Sequence, residues 1–254
     1  MPIVVRVTTI IDEVAALRRA AGLSAAGFAR LAGMPTSTVT RIEAEERDPS
    51  ISTLSALLTA LGAELAISFR SDQAAIRAAR AALDPTVPET PESSAWTTRW
   101  TRAGLLVGGR PADPAAFLEV IGATTRLSAR RGSRTFDATS DPARTLAAAG
   151  IDYALTGSLA AVRLVEENSN PWPVVYVADL GAAEVNLTVA PGVSGAARTT
   201  ILPFDGISET GRRRDMDGVW VADDRQVLID CFGGPGLLPE QGRALLDAMI
   251  GVTR

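Results

Sequence analysis

The chain has 254 residues, 46% of them hydrophobic and 21% charged, with a formal net charge of −4 at pH 7. That is an ordinary globular composition, sized for one large domain or two modest ones. It contains no histidine, no lysine and a single cysteine, Cys231. These absences exclude His-based triads, His-ligated zinc, Schiff-base and phosphate-loop lysine chemistry, and an intramolecular disulfide.

No apolar run approaches the ~20 residues of a membrane span, and the N-terminus has no secretory pattern. With the lone cysteine, this points to a cytoplasmic protein that does not enter a membrane.

Helical spacing runs over residues 10–21 (Ile10, Val14, Leu17, Ala20, Ala21), with Arg18 and Arg19 where they suit the helix dipole and Gly22 as the stop. Ser24 is placed to cap a second helix that buries Phe28 and Leu31 and turns at Gly33. Thr36 or Ser37 opens a third helix with Val39 and Ile42 inward. A fourth helix follows over 52–61, then a short strand over 64–69 and a further helix over 72–83.

Residues 84–94 carry three prolines among acidic and hydroxyl side chains and read as an exposed linker in preference to a loop folded against one domain, because no apolar periodicity spans them. This divides the chain into a helical domain (1–70), a helix with a Pro-rich linker (71–95) and a second domain (96–254). In that domain, residues 115–127 and 142–149 read as helices. Beyond Ile151 the pattern changes to short strands over 152–156, 173–178, 184–190, 199–204, 218–222 and 226–231, with helices over 159–167 and 239–250. The expected fold is an all-α domain followed by an α+β domain on a mostly antiparallel sheet.

Residues 23–49 form the most specific pattern: helix, Gly33 turn, second helix, charged exit. That is the layout of a helix-turn-helix, whose second helix lies in the DNA major groove. Phe28-Ala29-Arg30-Leu31-Ala32-Gly33, then Ser37-Thr38-Val39-Thr40-Arg41-Ile42-Glu43, then Arg47-Asp48-Pro49-Ser50 resemble the Cro/phage-repressor (XRE-type) family. The resemblance spans about residues 10–69 and implies a five-helix domain acting on paired half-sites of double-stranded DNA as a homodimer.

It places Thr36, Ser37, Thr38, Thr40 and Arg41 on or near the exposed face of the recognition helix, where hydroxyls reach phosphates or bases and arginine grips guanine. Arg47 and Ser24 are expected at phosphates. Arg41 is also spaced to pair with Glu45. Two positions depart from the family: Ala25 stands where a DNA-contacting Gln is usual, and Ala44-Glu45-Glu46 continue the helix where a Gly usually ends it.

In the second half, Leu155-Thr156-Gly157-Ser158 after a strand looks like the opening of a nucleotidyltransferase fold, but Asp179 faces Gly181 rather than a second carboxylate. Tyr153-Ala154-Leu155-Thr156-Gly157-Ser158, the strand beginning at Pro173, and Gln226-Val227-Leu228-Ile229-Asp230 followed by a Pro/Gly turn resemble AbiE-type antitoxins of type IV toxin–antitoxin operons, over about 96–252. Their toxins are nucleotidyltransferase-like proteins. Arg126, Arg130, Arg131 and Arg134 make a dense basic run suited to a DNA backbone, and Arg212-Arg213-Arg214 reads as a solvated hairpin loop.

The expectation is an autoregulating repressor and antitoxin, not an enzyme, using no cofactor and no metal. Two alternatives stay open: a DNA-targeted nucleotidyltransferase using Gly157, Ser158, Asp179 and Glu184, or a ligand-sensing regulator.

Overall fold

The computed structural model describes residues 7–65, 70–165, 172–190 and 193–252. The chain divides into two compact units, Met1–Ser68 and Phe69–Arg254.

The first unit contains four helices among the described residues: α1 (Val7–Ala20), α2 (Ala25–Leu31), α3 (Thr36–Glu43) and α4 (Ile51–Ala60). Ile11 and Val14 of α1, Phe28 and Ala29 of α2, Val39 and Ile42 of α3, and Leu54, Leu57 and Leu58 of α4 converge in one core. The helices are short because each is bounded by a cap or a left-handed residue. Ser24 and Ser50 accept the first free amides of α2 and α4, and Gly22, Gly33 and Gly62 take positive φ at the stops. The strand expected over 64–69 falls largely outside the described residues, and none is formed at Glu64 or Leu65.

The second unit begins with α5 (Gln73–Leu83) and α6 (Pro91–Arg102), a small hairpin of β1 (Leu106–Val107) and β2 (Arg110–Pro111), and α7 (Pro114–Thr124). There follow β3 (Arg134–Ala138), α8 (Pro142–Ala148), β4 (Tyr153–Thr156), α9 (Gly157–Val165), β5 (Pro173–Val177), α10 (Leu180–Leu187), β6 (Ala197–Pro203), β7 (Arg213–Arg214), β8 (Trp220–Val221), α11 (Asp224–Phe232) and α12 (Leu238–Val252).

The large sheet has the order β3-β6-β5-β4-β8-β7. It is partly parallel: β5 with β6 and β4 with β8 run parallel, and the other three pairings are antiparallel as expected. Helices cover both faces. Tyr153, Leu155, Val175, Val177 and Ile201 pack with residues of α8 and α10, while Ala154, Val174, Tyr176 and Leu202 pack with those of α7, α9, α11 and α12. Strands buried on both faces read as continuous apolar runs, which is why the run from Pro173 stood out in the sequence.

Three expected elements are corrected. Residues 226–231 form helix α11, not a strand. Every residue from Gln226 to Phe232 is buried, and a helix buried all round shows no amphipathic period to separate it from a buried strand. Residues 184–190 are mostly the end of α10, begun by an Asp179 cap; their alternation is not amphipathic, since Val185 is 79% exposed.

Residues 84–94 are not a free linker but a packed turn inside the second unit. Asp84 and Val87 are buried, and Thr90, Pro91 and Ser93 open α6 with a capping box. At the start of α9, Gly157 has φ +56°, and a Cβ there would lie 2.8 Å from the Val174 side chain. The turn and the close strand contact therefore both require glycine.

Candidate nucleic-acid interface

The turn between α2 and α3 follows from local backbone chemistry. Ser24 Oγ accepts the Gly27 amide at 3.1 Å, fixing where α2 starts. At its end the Gly33 amide donates to Arg30 O and the Met34 amide to Ala29 O, with Gly33 at φ +66°. This pair of bonds around a left-handed residue is a Schellman stop. Pro35, not Thr36 or Ser37, takes the N-cap position of α3; those two residues lie in its first turn.

Helix α3 buries Val39 and Ile42 and turns Thr36, Ser37, Thr40 and Arg41 to solvent, with Thr38 half-buried. Ser24 and Arg47 are exposed as well. The Thr40 hydroxyl is within bonding distance of Thr36 O and Ser37 O, at 3.2 and 3.1 Å, so it is partly committed to its own helix. Arg41 lies 3.7 Å from Glu46, not from the expected Glu45, and the pair is more than half exposed. Such a pair is weak and free to exchange for a stronger partner.

The helix does not run on through Ala44-Glu45-Glu46. It stops at Glu43, where the Glu45 amide donates to Ile42 O and the Glu46 amide to Arg41 O. Glu45 takes φ +58°, the left-handed position that glycine holds at the end of α2. The stop is made without glycine, and the backbone carries the steric cost.

One supporting pair was not read from the sequence. Arg18 of α1 reaches Glu43 at the end of α3 through two bonds, Nε to Oε1 at 2.7 Å and Nη2 to Oε2 at 3.0 Å. Its Nη1 donates to Leu23 O at 2.7 Å. One arginine thus ties α3 to α1 and to the residue before the α2 cap. The hydrogen bond to Glu43 raises the Arg18 pKa further above its ordinary value. The two residues are 25 positions apart, beyond any helical or strand spacing that a sequence reading tests.

In the second unit the expected basic run does not act as one. Arg126, Arg131 and Arg134 are exposed, but Arg130 is buried. Its Nη1 lies 2.7 Å from Asp230 Oδ1 and donates to Tyr176 Oη at 2.6 Å, and its Nε donates to Thr125 O. The Tyr176 hydroxyl and Gln226 Nε2 also donate to Asp230 Oδ1, and the Thr156 hydroxyl to Oδ2 at 2.6 Å. Burial opposes ionisation of Arg130, but Asp230 and its neighbours hold the guanidinium charged; burial likewise pushes the Tyr176 hydroxyl well up. Arg130 is a core ion-pair residue and cannot reach a DNA backbone. Arg134 pairs with Glu184.

The residues of the nucleotidyltransferase alternative are likewise engaged locally. Ser158 is buried and donates to Trp172 O at 2.6 Å, and Asp179 Oδ1 accepts the Ala182 amide as the cap of α10. Glu184 is held by Arg134. Among the described residues no group of three or more His, Cys, Asp or Glu is placed to hold a metal ion. Arg213 and Arg214 form an edge strand rather than a loop, and Arg212 pairs with Asp152 at 2.8 Å while stacking over Phe204 and Trp220.

A helix-turn-helix family model matches residues 14–67. No curated protein and no solved structure matches the chain. The matched span contains α2, the Gly33 turn and α3, and it marks the chain as a DNA-binding transcriptional regulator. Among the described residues no helix is long and apolar enough to cross a membrane.

Proposed function

We propose that the chain is a cytoplasmic, sequence-specific repressor that binds double-stranded operator DNA as a homodimer, with α3 as its reading helix. The observation that carries this is the outward face of α3. Thr36, Ser37, Thr40 and Arg41 are exposed together on a helix anchored at its inner face by Val39 and Ile42 and at its end by Arg18.

Arg41 supplies specificity through a two-bond grip on guanine, the hydroxyls contact bases or phosphates, and Ser24 and Arg47 take phosphates. Residues 1–70 hold seven arginines against seven acids, so affinity rests on paired half-sites and local contacts rather than on bulk charge. Of the second unit's arginines, Arg126 is the one we assign to a DNA backbone.

The finer assignment is an antitoxin of an AbiE-type, type IV operon that represses its own promoter. The sequence pattern of the second unit supports it, as does the local commitment of Ser158, Asp179 and Glu184, the residues a nucleotidyltransferase reading would use.

Fluorescence anisotropy of the purified chain on its upstream promoter tests the repressor reading. Specific protein–DNA affinity typically exceeds non-specific affinity by about 10³-fold or more, so a scrambled duplex should bind far more weakly. Equal affinity for both duplexes would refute sequence-specific binding. Co-expression with an adjacent nucleotidyltransferase-like toxin tests the antitoxin assignment, with restored growth as the expected result.

A further inference from the structure

The second unit holds a cavity of about 920 Å³, within the ~300–1,000 Å³ range of small-molecule sites. Its position follows from the topology. β5 and β6 run parallel, with Val177 beside Pro203 at their carboxyl ends. The cavity is lined there by Leu180 after β5, by Pro203, Phe204 and Asp205 at the end of β6, and by Arg131 and Gly132 just before β3. Open α/β sheets bind ligands outside the carboxyl ends of their parallel strands. Helices α5 and α6 supply the remaining wall, including Arg77, Trp96 and Arg99.

The wall carries three acids and three arginines, equal in number but different in their local partners. Three acids line it, and each is already engaged. Asp72 Oδ1 accepts the Ala74 amide and Oδ2 the Trp96 indole N–H at 2.8 Å. Asp205 Oδ1 accepts the Ile207 and Ser208 amides and the Ser208 hydroxyl. Glu92 sits in the first turn of α6, where its own amide and the nearby Thr90 hydroxyl lower its carboxyl pKa.

The three arginines are not so engaged. Among the described residues none of Arg77, Arg99 and Arg131 makes an ion pair; Arg77 has one long bond to Pro88 O at 3.4 Å, and Arg99 lies over the Trp96 ring. Guanidinium groups are the side chains best suited to carboxylate and phosphate, which they meet with two parallel bonds. Trp96 and Phe204 add flat apolar surface to the same cavity.

Gly132 has φ +78°, and its ideal Cβ would lie 3.0 Å from Pro203, so the backbone approaches β6 closely just beside Arg131. Phe204 in turn stacks on Tyr176 at 6.0 Å between ring centroids. Through Tyr176 the cavity wall rests on the buried Arg130–Asp230 network.

We infer that this cavity binds a small anionic molecule carrying a planar ring, its acid group held by Arg77, Arg99 and Arg131 and its ring against Trp96 and Phe204. The inference is independent of the DNA-binding reading. The acid group is a phosphate or a carboxylate, and two probes separate these sources: adenosine 5′-monophosphate and salicylate.

Isothermal titration of the full chain should show one saturable site for at least one of the two probes. Adenosine and inorganic phosphate, each lacking half of the recognised chemistry, should bind about tenfold or more weakly than adenosine 5′-monophosphate. Arg99 and Arg131 are exposed, so Arg99→Gln and Arg131→Gln should fold normally by circular dichroism and lose about tenfold or more in affinity for the bound probe. Absence of binding by both probes would overturn the inference. So would binding that neither substitution weakens, since the probe would then occupy another place.

Discussion

Arg18 in the first unit and Arg130 in the second each join elements distant in sequence through a carboxylate, and the two pairs differ in their surroundings. Arg18 and Glu43 retain side-chain exposures of 14% and 17%, so the pair stays partly open to solvent screening. Arg130 and Asp230 keep 3% and 0%, and their neighbours Tyr176, Gln226 and Thr156 are buried polar groups as well. The first pair adds a brace to a helix that its apolar core already positions. In the second, removing one member leaves an uncompensated charge inside the domain. The same chemistry is thus an adjustable support at α3 and a condition of folding in the sheet domain.

The largest effect that tests this contrast is expected from Asp230→Ala. It strands Arg130 in the core and should cost about 3–5 kcal/mol, read as an earlier denaturation transition of the second unit. Arg18→Met should cost about 1–3 kcal/mol, the worth of bonds between charged groups, and should lower the stability of the first unit only. If the two losses proved equal, burial would not be what separates the pairs.

A smaller test bears on the end of α3. Glu45→Gly relieves a left-handed non-glycine residue and should stabilise the first unit by about 1 kcal/mol. Destabilisation would mean that the Glu45 side chain contributes more than the strain removes.

The smallest expected effect is a pH dependence. Burial alone would raise the Asp84 carboxyl, but hydrogen bonds from the Thr86 hydroxyl and amide, with Arg80 and Arg225 nearby, leave it below its ordinary value. A carboxylate depressed in the folded state adds stability that is fully present above its unfolded pKa of about 3.9. The Asp84 contribution should therefore be constant between pH 7 and 5, and any change of melting temperature over that range should owe nothing to it. Melting temperatures should fall less steeply below pH 4 in Asp84→Asn than in the parent.

The two units also differ in how much of them was legible in the sequence. The first was readable because its helices are amphipathic and punctuated: Ser24, Gly33 and Ser50 mark ends, and Val39 and Ile42 mark the inner face of α3. Its misread boundary at Glu45 came from a left-handed position occupied by a residue that does not announce it.

The second unit hides its pattern by burying it. Residue after residue of α11 is inside, so helix and strand look alike. The prolines of residues 84–94 suggested a linker, although Thr90-Pro91-Glu92-Ser93 is also a helix start. Arg130 looked like a surface base because neither Tyr176 nor Asp230 lies near it in sequence. Ion pairs between distant positions and the cavity at the ends of β5 and β6 arise only from topology.

The central claim, that α3 reads DNA with Arg41, is tested most directly by the affinity of Arg41→Ala for the upstream promoter across a series of salt concentrations. A base-reading arginine carries about 1–3 kcal/mol of discrimination. The variant should therefore bind the promoter about tenfold or more weakly, with the gap to scrambled DNA narrowed. Unchanged promoter affinity and an unchanged salt slope would contradict the account.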